Sequence, residues 1–140
     1  MVIRRAETVI KKPADAVWAR IRDFGDISWI PLAEAATMDG NDRSVTRKAW
    51  GDFALVQRLV EHDDARRTWS YTLPGEVLNL EPVAGPGYIV HYLNGTLTVN
   101  PQGESESFVT WDIDTEPFMV ENVRAEYQGA LDNLKGMLEG

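Results

Sequence analysis

The sequence contains no cysteine, which excludes disulfides, thiol catalysis and cysteine-ligated metals and fits a cytoplasmic placement. Basic residues are scarce: 14 Lys and Arg stand against 22 Asp and Glu, a net charge of −8. So acidic a chain argues against nucleic acid as a partner and favours a neutral, apolar or cationic small molecule. No apolar run approaches the roughly 18–20 residues of a membrane span, and Met1-Val2-Ile3-Arg4-Arg5 lacks the hydrophobic region of a signal peptide. Membrane insertion is therefore not expected. Histidine is also rare, and His62 and His91 differ so much in setting that neither a metal site nor a cofactor is expected.

What is present suits one compact unit. At 140 residues the chain is read as a single domain over 1–140, large enough to bury roughly 65–70% of its unfolded surface. Five tryptophans are many for this length, and each carries an N–H that wants a partner when buried.

Residues 2–10 alternate weakly through Val2, Arg4, Ala6, Thr8 and Ile10, which reads as a first strand ending before Pro13. Ala14, Val17, Trp18, Ile21 and Phe24 mark a helical face that Gly25 ends, and Asp26 starts a second short turn carrying Ile27, Trp29 and Ile30. Residues 33–38 and 44–50 read as a hairpin about Asp39-Gly40-Asn41-Asp42, and residues 53–61 and 67–73 as the next pair. Pro74 to Gly87 holds three prolines and three glycines and reads as a long mobile loop. Tyr88 to Val99 and Ser107 to Thr115 are the last strands. Asn94-Gly95 is a hairpin signal, but one long strand is the preferred reading, with the glycine marking a close approach. Pro117 to Gly140 is a long amphipathic helix, with Val120, Val123, Tyr127, Ala130, Leu131, Leu134 and Leu138 at helical spacing.

Several stretches carry a family likeness: Pro13-Ala14-Asp15-Ala16-Val17-Trp18 leading to Asp23-Phe24-Gly25-Asp26, Arg58-Leu59 running into Asp63-Asp64-Ala65-Arg66-Arg67, Gly95-Thr96-Leu97-Thr98-Val99-Asn100-Pro101, Val109-Thr110-Trp111, and Leu131-Asp132-Asn133-Leu134-Lys135. In this order they resemble the small bacterial polyketide cyclase/dehydratase family of the START-like superfamily, and share a layout with plant abscisic acid receptors and pathogenesis-related proteins. The resemblance implies an α+β helix-grip fold. In it a curved antiparallel sheet of about seven strands wraps a long C-terminal helix, with two short helices after the first strand. It also implies a cavity for a small apolar, aromatic or polyketide-like ligand.

Strand parity selects the cavity candidates. Gln57 with Leu55 and Leu59, then Trp69, Tyr71 and Leu73, then Leu93 with His91, then Trp111, should face inward, together with Val123 and Tyr127 from the last helix and Trp29 at the mouth. His91 is the catalytic candidate, since a histidine's ordinary pKa near neutrality suits proton abstraction; the competing reading is a surface histidine beside a flexible loop. Gln57 stands where the resemblance to abscisic acid receptors implies a cavity glutamate, and Glu34 where it implies a ligand-binding lysine. Arg47, Lys48 and Arg58 are basic groups able to polarise a polyketone, although parity turns Arg58 outward. Glu126, one residue off the apolar stripe, either faces the cavity or pairs with Arg124 or Lys135. Pro31, Glu76, Val77, Leu78 and Pro86 are further mouth candidates. Two readings of different class follow: a cofactor-independent cyclase or dehydratase, and a non-catalytic carrier, sensor or sequestering protein. Either suits a monomer or a homodimer.

Overall fold

The computed structural model describes residues 2–140; Met1 and the side chain of Val2 lie outside the described set. Strand β1 (Val2–Ile10) buries Ala6 and Ile10 and exposes Arg5, Glu7 and Val9, as a period of two requires. Pro13 caps helix α1 (Ala14–Ile21), its carbonyl accepting from the backbone N–H groups of Ala16 and Val17. Ala14, Val17, Trp18 and Ile21 form the buried face.

The helix stops at Ile21, short of Gly25, and residues 22–34 make turns where a second short helix is expected. The cause is local. Asp23 and Asp26 accept hydrogen bonds from the backbone N–H groups of Gly25 and Ser28, offering the chain an alternative to helix.

Strands β2 (Ala35–Asp39) and β3 (Asp42–Thr46) form the expected hairpin, but β3 begins two residues early and ends at Thr46. A 3-10 turn over Lys48–Trp50 replaces the rest of the expected strand, and Gly51 follows it at φ +60°. Strands β4 (Ala54–Asp63) and β5 (Thr68–Thr72) pair with a register shift between Leu59 and Glu61, which bends the sheet.

The expected mobile loop is folded. Strand β6 (Leu78–Asn79), the single helical turn α2 (Glu81–Ala84) and strand β7 (Ile89–Val90) make a separate two-stranded lid anchored by buried Leu80 and Val90. Asn79 Oδ1 accepts from the Glu81 N–H, and Glu81 Oε2 accepts from the Gly87 N–H, so polar side chains satisfy the backbone that the prolines and glycines leave free.

The strand expected from Tyr88 is broken at His91-Tyr92; strand β8 (Leu93–Gln102) follows, with Asn94-Gly95 inside it. Strand β9 (Glu106–Thr115) and helix α3 (Val120–Glu139) complete the chain. The main sheet is antiparallel throughout in the order β1-β9-β8-β5-β4-β3-β2, and α3 packs chiefly on β1 and β9 at one end of it. This is the α+β helix-grip arrangement. The C-terminal half of α3 (Ala130, Leu131, Leu134) fills a core with Trp18, Trp29, Trp69 and Trp111, while its first turns meet the lid through Val120 and Val123. Tyr127 borders both clusters, at the seam where the cavity lies. Among the described residues no helix is long and apolar enough to cross a membrane.

Candidate functional site

Because α3 packs at the β1–β9 end of the sheet, space remains over β3 and β4. It forms a cavity of about 240 Å³, against the roughly 150 Å³ that accommodates benzene in a protein core. The sheet contributes Arg43 and Val45 from β3, Leu55 and Gln57 from β4, Leu93 from β8 and Trp111 from β9. Helix α3 adds Val123, Glu126 and Tyr127, and the lid closes over with Leu78, Leu80, Ala84 and Tyr88. Exposed Leu32 and Ala84 mark the side that opens to solvent.

One wall is aromatic. Trp111 stacks face to face on Tyr127, with centroids 3.8 Å apart and planes 18° from parallel. Trp69 and Trp29 support Trp111 from behind at 5.7 and 5.5 Å. The hydroxyls of Tyr127 and Tyr71 are hydrogen-bonded to each other. Burial pushes Tyr127 up to about 12 and Tyr71 well above a phenol's ordinary value, so both are neutral at pH 7. They are hydrogen-bonding groups, not bases.

The other wall carries charge. Arg43 is only 3% exposed; its Nη1 donates to the Phe24 carbonyl at 2.7 Å and its Nη2 to Gln57 Oε1, while its guanidinium lies 3.8 Å from the centre of the Phe24 ring. Burial lowers its pKa, and among the described residues no carboxylate lies within ion-pairing distance to oppose the effect. Arg47 differs: it grips Glu126 with two hydrogen bonds of 3.1 and 3.2 Å and lies over Trp50.

Of the nine expected ligand contacts, Gln57, Leu93, Trp111, Val123 and Tyr127 line the cavity. Trp29, Trp69, Tyr71 and Leu73 do not. Trp69 is spent on packing, its indole N–H donating to the Ile21 carbonyl at 3.0 Å, and Leu73 packs under the lid. His91 lies outside the cavity altogether. Because the chain breaks between β7 and β8, its parity no longer follows Leu93, and its side chain is 62% exposed with Nδ1 3.0 Å from Glu116 Oε1.

The remaining candidates divide similarly. Glu126 faces the cavity but pairs with Arg47, whereas Arg124 pairs with Glu121 and Lys135 with Glu139. Arg58 points outward onto Asp42, and Lys48, Glu34, Pro31, Glu76, Val77 and Pro86 are exposed. Leu78 is the mouth candidate that reaches the cavity. His62 is stacked on Trp18 at 5.5 Å, with Nε2 3.1 Å from the Arg22 carbonyl. No group of three or more His, Cys, Asp or Glu side chains is arranged to hold a metal among the described residues.

Arg43 is the residue that the sequence reading misses. Starting the third strand at residue 44 leaves it in the turn, yet it pairs directly with Gln57, which parity already turned inward. Extending the hairpin register back from Gln57 finds it.

The family model for polyketide cyclase / dehydrase and lipid transport matches residues 1–139. The chain belongs to this family. Solved structures share the architecture of this family member across its whole length. A Bacillus thuringiensis protein is 18% identical with a TM-score of 0.80, covering 99% of this chain and 100% of its own. A START superfamily protein from Mycobacterium smegmatis is 13% identical with a TM-score of 0.70, over 98% and 97%. The di-domain ARO/CYC BexL of the BE-7585A biosynthetic pathway is 20% identical with a TM-score of 0.75, over 99% of this chain and 47% of that one. At such identities the likeness is one of fold. No curated protein sequence matches the chain.

Proposed function

We propose that this polyketide cyclase / dehydrase and lipid transport family member binds one small, flat, largely apolar molecule, aromatic or polyketide-like, in the cavity beside α3. The observation that carries the reading is the 240 Å³ space walled by the Trp111–Tyr127 stack and aliphatic side chains. A planar ligand gains ring contact there, and the lid supplies apolar cover from Leu78 and Leu80. Retention needs nothing further of the ionisable groups, so a carrier, sensor or sequestering role follows most directly.

A cyclase or dehydratase role is the second reading, favoured by one specific observation. Arg43 and the neutral Tyr127 hydroxyl stand at the same cavity, where donors stabilise an enolate oxygen as it forms. Glu126 is then, among the described residues, the carboxylate on the lining able to take a proton, and it must first leave Arg47.

The neutral dye N-phenyl-1-naphthylamine tests the binding reading. Its fluorescence should rise on one-to-one binding to the wild type. In Val123→Trp, where an indole enters the cavity, the rise should vanish while far-ultraviolet circular dichroism is unchanged. Equal enhancement by both proteins would place the dye elsewhere and sink the assignment. Turnover of a polyketone lost in Glu126→Gln would move the conclusion to the second reading.

A further inference from the structure

Taking the cavity as the ligand site, we infer that its ligand is an anion: an apolar aromatic acid whose charged oxygen lies against the guanidinium of Arg43. Three charged side chains line the cavity among the described residues, and two of them, Arg47 and Glu126, neutralise each other. Arg43 is left with neutral acceptors alone, the Phe24 carbonyl and the Gln57 amide oxygen. A cation buried without a counter-charge is costly, and an acidic ligand reduces that cost by pairing with it.

The hydrogen-bond inventory points the same way. The guanidinium of Arg43 has five N–H donors, of which the Phe24 carbonyl and the Gln57 amide oxygen take two, one from each Nη nitrogen. An acceptor brought into the cavity that Arg43 lines meets the donors left over. A carboxylate has acceptor sites for several donors and is met well by a planar guanidinium. A ligand amine would bring further donors, and a cation would repel Arg43. The overall charge of −8 does not decide the matter, since exposed surface charges are screened within about 8–10 Å and Arg43 is not exposed.

The experiment is displacement of N-phenyl-1-naphthylamine at pH 7 by 2-naphthoate and by its neutral methyl ester. Wild type should prefer the acid by about 10- to 100-fold, the range of a charge-assisted hydrogen bond. Arg43→Met should bring the acid-to-ester ratio to about one, whatever it does to the absolute affinities, and Arg43→Lys, which keeps the charge, should retain a preference for the acid. If Arg43→Met does not fold, the wild-type ratio and Arg43→Lys decide. An ester that displaces the dye as well as the acid overturns the anion and leaves the cavity reading standing. If neither the dye nor 2-naphthoate binds, by fluorescence or by calorimetry, the cavity reading falls and the anion with it.

Discussion

Tyr71 lies folded across Gly95, its direct partner in the β5–β8 ladder, and this contact holds its hydroxyl on Tyr127. A Cβ on Gly95 would stand 2.4 Å from the Tyr71 ring, so the position tolerates no side chain while the tyrosine keeps its place. Gly95→Ala should cost about 1–3 kcal/mol of stability in urea unfolding through overpacking. It should also weaken dye binding, because displacing Tyr71 frees the Tyr127 hydroxyl that it anchors. A variant as stable as wild type would show that Tyr71 has another position open to it. The glycine was legible as a point of close approach from its place in an alternating strand. That a tyrosine three strands earlier in the chain makes the approach was not, because the ladder pairing fixes it and no local pattern does.

At the level of elements, one carboxylate ties α1 to the β4–β5 turn. Asp64 accepts from the Trp18 indole at 2.9 Å and from two nitrogens of Arg22 at 2.9 and 3.0 Å. Hydrogen bonding from Arg22, then Trp18, holds its pKa down to about 2 from the ordinary 3.8. A carboxylate depressed on folding stabilises the protein above its unfolded pKa, and that contribution is lost as pH falls through the folded one. Asp64→Asn should therefore flatten the loss of thermal stability between about pH 4 and pH 2; an unchanged slope would show that the tie is not coupled to folding. Elements with strong periodicity, such as α3 and β9, were legible with nearly their observed limits. The failures have local causes: Asx turns replaced a second helix, a side-chain-capped helical turn organised the proline-rich lid, and the break at His91-Tyr92 reset the parity that had placed His91 inside. Arg43 was lost to a strand start placed two residues late.

For the whole molecule, binding inside the seam between two hydrophobic clusters links occupancy to global stability. A ligand at a hundred times its Kd adds about 2.7 kcal/mol, which for a domain of this size raises Tm by roughly 5–10 °C. Saturating N-phenyl-1-naphthylamine should do so in wild type and not in Val123→Trp, measured by scanning calorimetry. An unmoved wild-type Tm would place the dye on the surface. The lid has a consequence of another kind. Its β6–β7 ladder is hydrogen-bonded to itself, while β5 and β8 join directly across its base, so the main sheet closes without it. Door and frame are separate units strung on one chain. The exposed positions between Thr72 and Leu93 can therefore change while every strand of the frame keeps its register, whereas Leu80 and Val90, which moor the door to the frame, cannot.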